Sequence, residues 1–487
     1  MITIILSSVS LLGCSQVQTQ LGEVEIYVSA TSGERISKKT NLTFHLIGAF
    51  EKPDFEIDPR IQHQKIIGFG ASFLEAGLVT LNTLPVTQQE NVLKTIFDKS
   101  SGAGFSAMKT VIGGTDFQSA EPNFYTYADG TKTDLSNFSI ARDLKPNGLV
   151  TYIKRAKQYG EFKLQAPMDF PPDWMLTGAA NQQNVNSQYY GTLANYYLKY
   201  LSEYQNQGIF IDYLAPFNEP GIYTKIQPEE ISSLIRNHVG PLFATNKIKT
   251  KLQVSDFAFR TQAAKDVPVI LNDPNTRKYI AGISYHGYDF IGRSDRPTRE
   301  NGYNFAEFQA ISDLKKAYPD LPLWQSEVCY SLGNSWVHNP VYEFEDGDFW
   351  GQQIIADLER GASAWTYWNL ILNEEGGPWI AAPEKGNPDP NPQTPLVIVN
   401  RKTKQVTFTG AFYYLAHFSK FVTPESVRLG LSGNVPDIKA ISFERPDGKT
   451  VTEIINSRKT DTKISLKYQN GFVDVQLPNS SITTLLW

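Results

Sequence analysis

From Ile66 to about residue 411, short apolar runs alternate with longer segments whose apolar positions recur at i, i+3/i+4 and i+7. The runs centre near Ile66, Met108, Leu164, Leu214, Val254, Ile283, Leu323 and Ala364 and read as buried strands. Between them, Val86–Asp98, Leu149–Tyr159, Glu229–Asn246, Phe305–Tyr318 and Gln352–Arg360 read as helices. The clearest stripe is Tyr189, Tyr190, Leu193, Tyr196, Tyr197, Tyr200, Leu201 and Tyr204, closed by Gly208. Strand and helix exchanging about eight times is the pattern of an α/β protein built as a (β/α)8 TIM barrel, expected over 61–411. Outside the barrel the period drops to two. Val24, Ile26 and Val28 alternate, as do Leu42, Phe44 and Leu46. At the other end, Ile438–Phe443, Thr450–Ile455, Lys463–Tyr468, Phe472–Leu477 and Ile482–Trp487 are short runs divided by PDG, SRKTD, QNG and PNS turns. The early strands need a partner sheet, so a β-sandwich side domain is expected from both termini, 23–60 and 412–487.

Composition adds exclusions. With 41% hydrophobic and 20% charged residues over 487 positions the chain can bury a large core, and a net charge of −5 offers no basic excess for nucleic acid or a polybasic membrane contact. Its two cysteines, Cys14 and Cys329, cannot form a disulfide framework; Cys329 reads as a buried thiol. Met1–Gly13 is apolar, and Leu11-Leu12-Gly13-Cys14 resembles a bacterial lipobox, although no Lys or Arg precedes Arg35. Residues 1–22 are therefore expected to be a lipoprotein-type signal and tether. The only expected membrane contact is a lipid anchor at Cys14, on a secreted, periplasmic or outer-membrane-anchored protein. No other segment approaches the roughly 20 apolar residues of a transmembrane helix.

The chemistry concentrates where two strands stop. Ile211–Pro220 is an apolar run ending in Asn218-Glu219-Pro220, and Leu321–Tyr330 ends its own run on Ser326-Glu327. In a parallel barrel all C-terminal strand ends share one face, so these carboxylates can meet across one pocket. Paired carboxylates are the requirement of glycosidic bond cleavage; capping of the following helices is the structural alternative for both. Asn218 can bind a sugar's 2-hydroxyl or cap a helix, and Asp116 follows the Gly113-Gly114 turn, which an aspartate ordinarily closes. The six histidines show no metal-ligand spacing, and no metal or cofactor is expected.

Seven stretches occur in order: IGFGASF (67–73), IGGTDF (112–117), YTYADG (125–130), FNEP (217–220), SEVC (326–329), WNLILNEEGGP (368–378) and AHFSKFV (416–422). Together they resemble glycoside hydrolase family 30, and YTYADG, SEVC and AHFSKFV look most like its glucosylceramidase branch. The resemblance implies a retaining β-glycosidase on a carbohydrate or glycolipid substrate, with Glu219 as acid/base and Glu327 as nucleophile. It also implies sugar contacts from Asp116, pocket walls from Trp174 and Trp368, and support from His286 and Tyr288. The sequence departs from the pattern at several points. Lys109 stands where the family has an arginine, Val111 replaces a proline, and Gly287 replaces an aromatic residue. Met168-Asp169-Phe170 replaces a tryptophan-containing segment, and Trp379 follows GGP without an asparagine. β-1,6-Glucan, β-xyloside and β-fucoside cleavage therefore stay open beside β-glucosides, as does a noncatalytic glycan-binding lipoprotein. The proline-rich run at 386–392 is expected on the active-site rim.

Overall fold

The eight runs close into one parallel barrel: β1 (Gly68–Ser72), β2 (Ala107–Lys109), β3 (Lys163–Pro167), β4 (Tyr213–Ala215), β5 (Lys251–Phe257), β6 (Ile280–His286), β7 (Leu323–Glu327) and β8 (Ala362–Asn369). The computed structural model describes residues 22–46, 52–119, 124–130, 133–179, 182–289, 305–330, 344–380 and 391–487. Cys14, the apolar leader and most of the tether lie outside them, as do residues 386–390 of the proline-rich run. Among the described residues no helix is long and apolar enough to cross a membrane.

The barrel interior is filled by pairing large with small. Tyr213 of β4 and Trp324 of β7 meet edge to face at 5.3 Å, with Ala107 and Ala364 from β2 and β8 beside them. At Gly70 of β1 a Cβ would lie 2.2 Å from the carbonyl oxygen of Ala107, so only glycine admits strand β2 there. The tyrosine stripe forms the helix Tyr190–Asn206 and is buried at Tyr190, Leu193, Tyr196, Tyr197, Tyr200, Leu201 and Tyr204. Each such apolar side chain contributes about 1.5–3 kcal/mol by leaving water. The predicted helix over 229–246 is broken by a π-turn at Ile235–Val239, just before Gly240-Pro241. Pro241 has no N–H to donate, and the shift to i+5 bonding absorbs the missing donor.

The second layer is a sheet whose path runs Ser37–Lys38, Glu23–Ala30, Ser481–Leu486, Thr450–Asn456, Ile438–Glu444, Val427–Gly433, Phe55–Lys65, Thr462–Tyr468, Gly471–Leu477 and His45–Leu46. All five predicted C-terminal strands are present. Two members were not legible. In Phe55–Lys65 the Asp58-Pro59-Arg60 triplet looks like a turn and the second half is exposed; in Val427–Gly433 the glycines interrupt the alternation. The expected strand through Leu42, Phe44 and Leu46 is instead two short pieces. Leu42–Thr43 pairs with the first strand and His45–Leu46 with Gly471-Phe472, while Phe44 between them packs on Trp487. The N-terminal strand lies antiparallel to the last one, Glu25 opposite Leu486 and Ala30 opposite Ser481.

A buried polar chain fastens sheet to barrel. His417, on the helix Gly410–Phe421, accepts at Nε2 from Ser29 Oγ (2.9 Å) and donates from Nδ1 to Thr484 Oγ1 (2.7 Å), which donates to Glu453 Oε2 (2.6 Å). Burial holds His417 down at about 3 and pushes Glu453 up to about 8, so both are neutral near pH 7. That state matches the hydrogen bonds, since Ser29 Oγ also accepts from the Ile36 N–H and is left with its own hydrogen for the imidazole.

Candidate active site

Glu327 is the last residue of β7, and a bulge decides where it faces. Ser284 pairs with Trp324 and Tyr285 with Gln325, but His286 pairs with Glu327, so Ser326 is the extra residue. Its hydroxyl donates to Asp256 Oδ1 and to the Tyr285 carbonyl oxygen, which holds the bulge. Glu219 follows β4 in a left-handed conformation, φ 45°, with its N–H donating to the Asp256 carbonyl oxygen at 2.7 Å. A non-glycine residue held there is strained, and such strain clusters at functional sites. Both carboxyl groups are buried. One oxygen of each and a ring nitrogen of His286 lie within 4.8 Å of one another.

Lys109, on β2, reaches the middle of this group. Its ammonium donates to Glu327 Oε2 (2.6 Å), Asp256 Oδ2 (2.8 Å) and Asn218 Oδ1 (3.0 Å), three donors matched to three acceptors. The arginine-to-lysine departure thus keeps the cation against Glu327, as a point charge in place of a planar fork. His286 Nδ1 is 3.0 Å from Glu219 Oε1 and 3.6 Å from Glu327 Oε1, and its Nε2 is 3.2 Å from Asp256 Oδ2. Burial opposes its charge, but Glu327 and Asp256 outweigh burial and lift it to about 9. Burial alone would push Asp256 up; Lys109 and His286 overcome that and hold it well below the usual carboxylate range. For Glu327 burial wins, and its carboxyl stays raised despite His286 and Lys109. Glu219, His286 and Glu327 also offer a metal ion three ligand atoms, but the adjacent ammonium and the charged imidazole repel a cation. Asp256, bonded to Lys109 and beside His286, is a site residue that sequence reading passed over; it is the next-to-last residue of β5, which places it near the same barrel mouth.

The remaining candidates divide. Tyr288 donates to Glu327 Oε1 at 2.9 Å and touches Cys329 Sγ at 3.7 Å. From Cys329 a chain of contacts runs through Gln393 Oε1 (3.2 Å), then from Gln393 to Asn391 Oδ1 (3.2 Å), and from Asn391 Nδ2 to Asp116 Oδ2 (3.2 Å). Asn391 is the sixth residue of the proline-rich run and Gln393 directly follows it, so the end of the run does deliver a side chain to Asp116. Burial, then the charges of Glu327 and Glu219, raise Asp116 to about 8. A Cβ at Gly114 would meet the Tyr125 N at 2.7 Å, so the turn that presents Asp116 is glycine for close approach. Trp368 lies with its ring centroid 5.0 Å from the Lys109 ammonium. At Gly287 a Cβ would lie 3.1 Å from Val328 Cγ2 and 3.2 Å from Arg260 Nη2, so a larger residue there needs those side chains to shift by a few tenths of an ångström. Trp174 stands apart: its indole N–H donates to the Ala128 carbonyl oxygen (2.9 Å), and it lines a cavity of about 280 Å³ with Phe124, Thr126, Asp129, Phe170 and Asp173 but neither glutamate. The YTYADG tyrosines have a structural task. Tyr125, Tyr127 and, from the tyrosine helix, Tyr204 all donate to buried Asp143 at 2.6–2.8 Å.

Buried acids in pairs at the C-terminal mouth of a parallel barrel, with a sheet domain woven from both ends, define the class of barrel glycosidases. Comparison with known proteins agrees. Residues 66–422 match the glycosyl hydrolase family 30 TIM-barrel domain and residues 425–485 its β-sandwich domain. The chain belongs to glycoside hydrolase family 30 and is an O-glycosyl hydrolase, as the seven motifs imply. It is 28% identical over 457 residues to the lysosomal acid glucosylceramidase of Mus musculus, covering 88% of this chain and 82% of that protein. It is 25% identical over 456 residues to an endo-1,6-β-D-glucanase of Aspergillus fumigatus, covering 86% and 84%. In fold it is similar to SrfJ from Salmonella typhimurium, with a TM-score of 0.83 at 21% identity, covering 96% of this chain and 99% of that one.

Proposed function

We propose that the enzyme hydrolyses β-glucosides with retention of anomeric configuration, Glu327 acting as nucleophile and Glu219 as acid/base. The observation that carries this is the approach of the two carboxyl groups, with an oxygen of each inside 4.8 Å. Retaining enzymes hold the pair roughly 5–5.5 Å apart, whereas inverting enzymes need about 6.5–9.5 Å to admit a water between them. Glu327 attacks the anomeric carbon as the bond to the leaving oxygen breaks, and Glu219 gives that oxygen its proton. Glu219 then takes a proton from water, whose oxygen attacks the same carbon and releases Glu327. Lys109 and Tyr288, each bonded to one oxygen of Glu327, steady the carboxylate. Asn218 gives its carbonyl oxygen to Lys109, which leaves its amide hydrogens for the sugar's 2-hydroxyl. Glucose as the sugar is supported by relatives of two kinds whose names, glucosylceramidase and endo-1,6-β-D-glucanase, both specify a glucosyl unit.

The test is an aryl 2-deoxy-2-fluoro-β-glucoside, which traps the glycosyl-enzyme of a retaining β-glucosidase. The expected result is a single adduct on the peptide containing Glu327, with hydrolysis of aryl β-glucosides lost in Glu219→Ala and Glu327→Ala. An adduct on another residue, or an inverted product by NMR, overturns the assignment. Turnover confined to β-xylosides or β-fucosides overturns the sugar but not the chemistry, whereas turnover confined to β-1,6-glucan keeps glucose as the sugar and makes the aglycone another glucosyl unit.

A further inference from the structure

Asp169 stands where the family pattern has a tryptophan-containing segment, and none of the chemistry above uses it. Strand β3 ends at Pro167, whose carbonyl oxygen accepts from the Ile112 N–H (2.9 Å), while the Met168 carbonyl oxygen accepts from the Asn218 N–H (2.8 Å). The backbone is thus clamped between the β2 and β4 ends, and Asp169 follows at the mouth of the barrel. Its side chain is only 2% exposed and interacts electrostatically with Lys109, Glu327, Asp116 and Glu219. Yet its Oδ1, fully buried, has no hydrogen-bond partner among the described residues. The nearby cation does not supply one, because the three hydrogens of Lys109 go to Asn218, Asp256 and Glu327. Buried polar atoms are nearly always paired, and leaving one unpaired is costly. Burial also pushes this carboxyl well above its usual range, with Lys109 only partly opposing. A buried carboxyl with one unpaired oxygen, electrostatically coupled to both glutamates, is matched by a hydroxyl.

We propose that Asp169 is a specificity-determining residue that hydrogen-bonds one hydroxyl of the bound sugar, at C3, C4 or C6, beside the hydroxyls held by Asp116. The proposal rests on the β-glucoside reading. Its test is calorimetric binding of 1-deoxynojirimycin and its analogues lacking the 3-, 4- or 6-hydroxyl to wild type, Asp169→Asn and Asp169→Leu. For one analogue the wild type should lose about 5–100-fold in affinity. Asp169→Leu should lose a similar factor on the parent compound and nothing further on that analogue, while Asp169→Asn keeps most of the parent affinity. Losses that multiply independently for every analogue, or no loss at all, overturn the proposal; should the leucine variant not fold, the same comparison is made with Asp169→Ala. Turnover of aryl β-glucosides is measured separately, so binding with this pattern but no turnover would fail the functional reading alone, and a wild type that binds no iminosugar overturns both.

Discussion

Lys109 shows how much one side chain can change meaning between sequence and structure. In the sequence it is a departure that weakens the case for catalysis; in the fold its ammonium is completely buried and saturated by Glu327, Asp256 and Asn218. Removing it would strand buried anions. Lys109→Met is expected to cost about 3–5 kcal/mol of stability by urea denaturation, and turnover should fall about 100-fold or more through the lost hold on Glu327. A variant that keeps wild-type kcat would sink the view that this cation serves the nucleophile. Of the residues that sequence reading found, Asn218, Glu219 and Glu327 sit in two of the seven motifs, while His286 ends β6 and Tyr288 follows it. Asp256 and Asn391 lie in stretches without a quoted motif, and nothing local says that β5 delivers a carboxylate to Lys109 or that the end of the proline-rich run delivers an amide to Asp116.

At the scale of elements the alternation of periods located every barrel strand, because each is a short apolar run bounded by polar loops. What it could not locate is the reason for particular loops. Asp143 accepts from three tyrosine hydroxyls, two in the loop after β2 and one in the helix Tyr190–Asn206, and so pins that loop against that helix. Burial raises its carboxyl, and the tyrosine O–H groups hold it to about 6. Asp143→Ala leaves three buried hydroxyls to find other partners, at about 1–3 kcal/mol for each that cannot. The urea midpoint should drop accordingly, with Asp143→Asn less affected because an amide oxygen still accepts. An unchanged midpoint in the alanine variant would mean that the loop is secured elsewhere. Phe55–Lys65 and Val427–Gly433, two sheet strands missed from sequence, pair with each other through two register shifts, the irregularity that their turn-like triplet and glycines bring to the ladder.

The whole molecule is barrel and sheet joined through Ser29, His417, Thr484 and Glu453. Glu453 has its carboxyl raised from 4.5 to about 8 in the fold, so the stability its protonated form confers is complete below pH 4.5 and is lost as pH rises through about 8. His417, lowered from 6.5 to about 3, acts the other way, destabilising the fold as pH falls below 6.5. Glu453→Gln should therefore flatten the fall in unfolding free energy between pH 5 and 9, by a few kcal/mol at the alkaline end. Equal slopes for variant and wild type would remove the buried acid from the account. The pairing of the first strand with the last carries a consequence for synthesis. A ribosome delivers Glu23–Ala30 some 450 residues before Ser481–Leu486, about 20–90 s at common elongation rates, and through that interval an apolar strand edge has no native neighbour. The cell must shield that edge until the final codons are read, so nascent-chain protection is a cost set by the topology itself.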